Sequence, residues 1–242
     1  MTDPELKPEA APPAPPQEPE AAAAAPQEPE AAAGAPSPVP WEDRGLNRLQ
    51  GLGRTLGRVL FHSRDFFQNL PREGWAEALA FGLIVGTAGV LACLYWQLLL
   101  YLGLSRSLGE MPAMARQFIS LGAGAIMTTM LLTPVIMLAN LTISSLGVWA
   151  AVGLTGGPWP KFTAAWRLTC YAQGALVAGF LPILGGPVAG LWNLVLTYHG
   201  LRGVLGLSPW RALGTLCLSL GLQVLLLLLL LGSLAGFWFF HS

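Results

Sequence analysis

The sequence predicts an all-α membrane protein. We expect a polytopic membrane helix bundle of about five transmembrane helices, preceded by an amphipathic interfacial helix and a disordered N-terminal tail. Apolar residues make up 53% of the 242 residues and charged residues only 11%, a balance typical of membrane proteins. Beyond Glu110 the chain contains no aspartate or glutamate. Reactions that need a carboxylate in the helical body, such as ion-coupled proton relay or glycoside hydrolysis, are therefore excluded from that half.

Residues 1–40 form the first predicted domain. They include twelve prolines, twelve alanines and six glutamates, and they repeat the hexapeptide Pro-Gln-Glu-Pro-Glu-Ala at Pro16 and Pro26. Such a composition has almost no apolar surface to bury, so we expect a disordered tail. Its two possible roles are a proline-rich ligand for a partner and a self-repelling spacer, and the composition favours the spacer.

Residues 41–77 form the second predicted domain, an amphipathic interfacial region. The apolar side of its helix is formed by Leu46, Leu49, Leu52, Leu56, Val59 and Leu60. The basic side is formed by Arg44, Arg48, Arg54 and Arg58. A helix with this division lies in the headgroup plane, where arginines favour anionic lipids. We therefore expect lipid-surface contacts by these four arginines.

Residues 78–242 form the third predicted domain, with apolar segments at 78–104, 121–154, 164–184, 187–205 and 212–240. Each has roughly the 20 residues that a crossing requires, or more. Gly82 and Gly86 in the first segment have the small-x-x-x-small spacing that lets helices approach closely. The third and fourth segments are joined by a tight turn at 184–187, so a re-entrant hairpin is the alternative to two crossings.

The arginines and lysines predict which side each loop lies on. With the N-terminus in the cytoplasm, that side receives Arg44, Arg48, Arg54, Arg58, Arg64, Arg72, Lys161, Arg167, Arg202 and Arg211. The opposite side receives Arg106 and Arg116. This bias predicts a cytoplasmic N-terminus and a C-terminus across the membrane. A re-entrant hairpin in place of two crossings leaves every loop and the C-terminus on the same side.

Polar residues within the spans are the candidates for function. On the second segment one helix face carries Gly122, Thr129, Thr133, Asn140, Ser144 and Gly147. Such a face can line a pathway, but it more often packs against another helix, which is the interpretation we favour. Arg167 could bind an anion, although snorkelling to the cytoplasmic interface is the simpler expectation. We interpret His199 as a hydrogen-bonded structural residue, and the isolated His62 and His241 form no metal site.

The order of several short motifs resembles the Yip (Ypt-interacting protein) domain family. They are Phe-Phe-Gln-Asn-Leu-Pro before the first span, Gly156-Gly157, Trp166-Arg167, Cys170-Tyr171-Ala172-Gln173, Pro182-Ile183-Leu184-Gly185-Gly186, Leu191-Trp192, His199-Gly200-Leu201 and Ser208-Pro209-Trp210-Arg211-Ala212-Leu213. The resemblance implies a five-span protein with a cytoplasmic tail. Eukaryotic members associate with Rab-type GTPases and with one another. The tail and the arginine-rich helix resemble the bacterial branch, which implies the bacterial cytoplasmic membrane.

The combined expectation is a non-catalytic membrane protein with a membrane-organising or scaffolding role. The alternative is a small-solute transporter or channel that uses the polar face of the second span, where Pro134 could break the helix. Expected partners are anionic lipids, membrane proteins and further copies of the chain, with no nucleic acid, small-molecule substrate, cofactor or metal. Family-motif or packing candidates are Gly82, Gly86, Asn140, Gly156, Gly157, Arg167, Tyr171, Gly185, Gly186, Trp192 and Gly200.

Overall fold

A computed structural model describes residues 39–43, 45–107, 113–156 and 159–241. Its regular elements in these ranges are helices: α1 Arg48–Phe61, α2 Ser63–Gln68, α3 Ala76–Ser107, α4 Ala113–Leu154, α5 Phe162–Ala172, a 3₁₀ helix Gln173–Phe180, α6 Gly185–Gly203 and α7 Pro209–His241. The predicted all-helical fold is thus confirmed for the described residues. The predicted disordered tail, up to residue 38, together with Arg44, Glu110 and Gly157, lies outside them.

Three of these helices contain stretches long and apolar enough to cross a membrane. The stretches are Ala76–Gly103 in α3, Leu121–Leu154 in α4 and Pro209–Leu226 in α7. They overlap the first, second and fifth predicted segments, the fifth over residues 212–226. α4 continues through Pro134 as one helix.

The third and fourth predicted segments form a helical hairpin, but its geometry differs from the prediction in two ways. The α-helical part of the first arm ends at Ala172 and is followed by the 3₁₀ helix. The turn occupies 181–184 instead of 184–187, because α6 already begins at Gly185. Both differences occur where the hairpin's arms lie close to other backbone. A Cβ at Gly179 would collide with the Gly89 carbonyl oxygen, and one at Gly185 would lie 2.6 Å from the Ala178 carbonyl oxygen.

The first arm of the hairpin runs alongside α3. A Cβ at Gly82 would meet the Cys170 backbone, and one at Gly89 would meet the Leu176 carbonyl oxygen. Further along, the Trp96 indole donates a 3.2 Å hydrogen bond to the Phe180 carbonyl oxygen. Trp96 is 20 residues after Ala76, which is about 30 Å of α-helix at 1.5 Å per residue. The end of the arm therefore lies about 30 Å along α3 from the start of that helix.

Three connections meet at one end of the bundle, which we call the basic end. They are residues 69–75, residues 155–156 with 159–161, and residues 204–208. Lys161 pairs with Glu73 at 3.2 Å, and the Thr163 hydroxyl donates to the Arg72 carbonyl oxygen. Arg211 donates to the Thr155 carbonyl oxygen at 3.2 Å. These contacts join the start of α3, the end of α4 and the starts of α5 and α7.

Helices α1 and α2 pack on the bundle at the basic end. Val59 and Phe67 are completely buried in the main apolar core. A Cβ at Gly203 in α6 would meet the Phe67 backbone at 2.7 Å, so α2 contacts α6 closely. The buried side of α1 consists of Gly51, Thr55 and Val59, whereas the apolar Leu49 is 77% exposed. The predicted apolar side thus contributes Val59 to the core, with Leu52 and Leu56 packed at its edge.

Candidate functional site

A buried ion pair lies at the basic end, between α5 and the segment before α1. Arg167, in the second turn of α5, is 1% exposed. One terminal nitrogen of its guanidinium donates to the Glu42 carboxylate. The other donates to the carbonyl oxygens of Glu73 at 2.8 Å and Gly74 at 2.9 Å. The charge is thus neutralised and bonded inside the protein, as a buried charge must be.

The expectation that Arg167 snorkels to the interface is therefore wrong. A snorkelling arginine keeps its charged head in water, but this side chain is 2% exposed. The sequence could not reveal this, because the partner carboxylate lies 125 residues away. The residue beside the Arg167 guanidinium is Gly74, and its geometry explains why a glycine occupies this position. Its φ is +85°, and a Cβ there would lie 3.1 Å from Arg167 Nη1.

Tyr171 is the second partner of Glu42. It lies one turn after Arg167 and is fully buried. Its hydroxyl donates a 2.7 Å hydrogen bond to the same carboxylate oxygen that Arg167 contacts. The ring packs against Phe66 and Phe81, with ring centroids 5.3 and 4.9 Å away. The motif residues Arg167 and Tyr171 are thus brought together around one carboxylate.

Residues 39–43 deliver Glu42 to this position, and we call them the N-terminal latch. Val39 is 1% exposed and Trp41 6%, so the latch is part of the core. The Trp41 backbone amide donates to the Thr55 hydroxyl at 2.9 Å, and its indole donates to the Glu77 carbonyl oxygen at 2.8 Å. Val39 and Pro40, which the sequence assigns to the tail, are therefore packed residues. The signal that could have identified the latch is a tryptophan next to a glutamate after a proline-rich stretch.

A second polar site is a cavity of about 630 Å³ between the helices. Its polar lining comes from Thr129, Thr133, Asn140 and Ser144 of α4, Thr169 and Gln173 of the hairpin's first arm, Asn193 and Thr197 of α6, and Ser219 and Gln223 of α7. Apolar side chains such as Met137 and Leu176 complete it. None of the described residues that line it is ionisable at neutral pH.

The polar face predicted on the second span divides between packing and cavity. At its ends Gly122 lies against the Tyr101 ring and Gly147 against Gln223, as expected for a packing face. Thr129 and Thr133 donate to carbonyl oxygens one turn earlier in α4, at 2.8 Å each. Asn140 is exposed and, within the described part of the chain, has no hydrogen-bond partner. The middle of the face therefore lines a cavity.

The predicted glycines have different surroundings. Gly82 and Gly86 face α5 and the Met137 side chain of α4, respectively. Gly156, with φ +76°, follows the end of α4, and Gly200 lies against the Leu168 side chain. Apart from its chain neighbours and the nearby backbone of α6, no described atom lies within 4 Å of a Cβ built at Gly186. Trp192 is 40% exposed on α6.

The predicted lipid-surface arginines that the structure describes are exposed. Arg48 pairs with Glu77 at 3.2 Å and stacks over the Trp41 ring at 5.3 Å. Arg54 and Arg58 extend from the outer side of α1. Phe61, on the same helix, is 81% exposed. Lipid contact by these residues stays a prediction.

His199 has the structural surroundings that the sequence suggested. Its Nδ1 lies 2.7 Å from the Ser63 hydroxyl, which joins α6 to α2. No group of three or more histidine, cysteine, aspartate or glutamate side chains that could hold a metal occurs among the described residues. The two polar sites therefore remain the candidates, one charged and filled by the chain itself, the other neutral and open.

A comparison with protein-family models matches residues 57–231 to the Yip1 domain. That range is nearly three quarters of the chain and extends from α1 into α7. The latch lies before its first residue. Searches of curated proteins and of solved structures gave no match.

Proposed function

The chain belongs to the Yip1 domain family, and on that premise we propose that it is a non-catalytic membrane-organising or scaffolding component. The observation that carries the proposal is the ion pair between Arg167 and Glu42. A charged residue in an apolar bundle is expensive unless it is paired. Here the pair fastens the region before the first span to α5. Its use is structural, because it holds α1 and the exposed arginines at a set position on the bundle.

The proposal includes five membrane crossings. The first arm of the hairpin is about 32 Å long and α6 about 28 Å, from the rises of the α and 3₁₀ helices. Both lengths are close to the roughly 30 Å thickness of a hydrocarbon core. The contact between Trp96 and Phe180 supports a crossing over a shallow re-entrant hairpin. We place the basic end in the cytoplasm, and a bacterial inner membrane is the proposed location.

The partners proposed are anionic lipids, other membrane proteins and further copies of the chain. Exposed Arg54 and Arg58 supply positive charge beside exposed Leu49 and Phe61. This combination is suited to an anionic membrane surface. The double variant Arg54→Gln/Arg58→Gln should retain less phosphatidylglycerol than the wild type when purified from mixed vesicles. The matched control is Arg72→Gln, another exposed arginine outside α1. Equal retention by all three proteins contradicts the lipid contact.

One experiment separates the scaffold from the alternative of a small-solute transporter or channel. Donor- and acceptor-labelled copies are reconstituted into vesicles that also contain a releasable neutral solute such as glycerol. A self-associating scaffold gives energy transfer that rises with protein density, while solute release stays at the rate of empty vesicles. Solute release that exceeds the empty-vesicle rate and is abolished by Asn140→Leu would instead establish a pathway through the cavity.

A further inference from the structure

We infer that the cavity between α4, the hairpin and α7 binds the polar end of an uncharged lipid that carries hydroxyl and ester carbonyl groups, of which diacylglycerol is the simplest. This goes beyond a scaffolding role, and neither the family match nor the proposed function assigns a ligand to the cavity. The inference is carried by three properties of the cavity, namely its depth, the chemistry of its lining and its opening.

The cavity extends through the middle depth of the apolar bundle, since its lining on α4 runs from Thr129 to Val148. Met137 lines it, and the Met137 side chain lies against Gly86 of α3. Gly86 is ten residues after Ala76, where the first candidate span begins. Ten residues of α-helix measure about 15 Å, which is half the thickness of a hydrocarbon core. A ligand beside Met137 is therefore separated from both aqueous phases.

The lining selects an uncharged polar group. Because no described lining residue is ionisable at neutral pH, a phosphate or carboxylate would find no counter-charge, and a buried unpaired charge is very costly. The Asn140 and Gln223 amides each offer two donors and one acceptor oxygen, and neither has a partner among the described residues. Ester carbonyl oxygens accept hydrogen bonds from such amides, and a free hydroxyl can donate to them.

The size and opening fit a lipid better than a water-soluble solute. About 630 Å³ lies within the roughly 300–1,000 Å³ of typical ligand sites. The lining includes exposed apolar residues of α4 and α7, among them Ile136, 49% exposed, and Leu220, 38% exposed. At this depth such residues face hydrocarbon, so the opening leads sideways into the bilayer. A glycerol backbone can occupy the cavity while its acyl chains remain among the surrounding lipids.

The experiment uses the full chain in nanodiscs with a trace of diacylglycerol that carries a photoreactive diazirine in one acyl chain. A phosphatidylglycerol with the same labelled chain is the charged comparison. After illumination, the modified residues are mapped by peptide mass spectrometry. We expect diacylglycerol to label α4 and α7 residues around the cavity, and unlabelled diacylglycerol to compete with this labelling. The charged lipid should label these residues no more than it labels the outer surface of α3.

Asn140→Leu and Gln223→Leu replace each amide by an apolar group of similar size. Each should reduce cavity labelling about threefold, the scale of one hydrogen bond between membrane helices. Gln97→Leu is the matched control, because Gln97 is an exposed amide on α3 that does not line the cavity. Its labelling should equal that of the wild type.

Four results would overturn the inference. They are equal labelling of the cavity by the charged and the neutral probe, labelling that both Leu variants leave unchanged, absence of cavity labelling, and cavity labelling that excess unlabelled diacylglycerol does not reduce. If a Leu variant does not fold, the test is whether unlabelled diacylglycerol reduces cavity labelling of the wild-type protein. Cavity labelling that excess unlabelled diacylglycerol does not reduce would show non-specific exposure to lipid. Solute flux plays no part in these readouts, so the lipid site and the scaffolding role stand or fall separately.

Discussion

Glu42 and Arg167 are unequal partners, although they form one ion pair. Arg167 is fixed in α5 and surrounded by protein, whereas Glu42 belongs to a segment at the surface and its side chain is 15% exposed. Removal of the carboxylate leaves a charge that has no route to water. Removal of the arginine leaves a carboxylate that reaches water when the latch swings outward. The single variants should therefore differ in their effect on stability.

We predict that Glu42→Ala lowers the free energy of unfolding by about 3 kcal/mol, because an unpaired buried charge is left behind. Arg167→Met should cost less. In the double variant Glu42→Leu/Arg167→Met both charges are absent, and its stability should be closer to that of the wild type than the sum of the single effects implies. Denaturant titration in one detergent gives the free energy of unfolding of the wild type, the two single variants and the double variant. Additive losses would show that the two side chains are energetically independent.

Gly74 carries a second prediction at the same site. Its backbone has φ +85°, which an alanine adopts only with strain, and an added Cβ would crowd the Arg167 guanidinium. Gly74→Ala should destabilise the protein by about 1–3 kcal/mol. Gly206→Ala is the control, because Gly206 also has φ +66° but a Cβ there meets nothing within 4 Å. Equal melting temperatures for the two variants would assign the whole effect to backbone strain and none to Arg167.

At the scale of elements, Gly82 and Gly86 are equivalent in sequence and different in structure. Gly82 faces the Cys170 backbone, whose atoms cannot move without displacing α5. Gly86 faces the Met137 side chain, which is flexible and can rotate away. A stripe of small residues thus contains one rigid and one adaptable contact. The helical spacing alone does not distinguish them.

We predict that Gly82→Ala lowers stability by about 1–3 kcal/mol, as overpacking of a close contact does. Gly86→Ala should have a smaller effect, because Met137 yields. Gly103→Ala, at an exposed position of α3 with nothing within 4 Å of the added Cβ, should be neutral or slightly stabilising. The three apparent melting temperatures give the ranking. A Gly86 variant less stable than the Gly82 variant would contradict it.

The helices were predictable where hydrophobic length alone defines them. The three long apolar stretches in α3, α4 and α7 lie where the sequence places them. The hairpin was predicted less well, because its 3₁₀ helix and early turn depend on close contact between its backbone and α3. The latch was missed for the same kind of reason. Glu42 and Trp41 acquire their roles from partners on α1, α3 and α5 that no local pattern identifies.

The polar cavity was likewise predictable only in part. Composition correctly identified a polar face on the second span, since hydroxyl and amide residues recur there at helical spacing. Whether such a face meets a helix or a cavity depends on the side chains opposite it. Asn193 and Gln223, which lie on α6 and α7, are among those opposite side chains, and the sequence does not indicate that they share a cavity with Asn140.

At the scale of the whole molecule, the alternating course of the helices predicts the sidedness of each loop. Single cysteines are introduced at Ser208, Leu184 and Ser242 in a variant whose Cys93, Cys170 and Cys217 are replaced by alanine. Ser208→Cys lies at the basic end and should react with a membrane-impermeant maleimide only from the cytoplasmic side. Leu184→Cys and Ser242→Cys should react from the opposite side.

Leu184→Cys is the decisive position, because Leu184 lies in the hairpin turn and is 64% exposed. A re-entrant hairpin would bury this cysteine in lipid, and it would then react from neither side. Reaction of Ser242→Cys from the cytoplasmic side would contradict the prediction that the N- and C-termini lie on opposite sides of the membrane.

The separation of Glu42 from Arg167 also has a consequence for biosynthesis. The latch leaves the ribosome first, yet its binding partner follows 125 residues later. At 5–20 residues per second, the latch waits about 6–25 s before α5 exists. During that interval Glu42 lacks the α5 side chains that hold it in the folded structure, although the Trp41 partners Thr55 and Glu77 have already been synthesised. Closure of the latch therefore marks the moment at which the nascent chain has inserted its third apolar segment, and a chain arrested earlier remains recognisable by a Glu42 without its Arg167 partner.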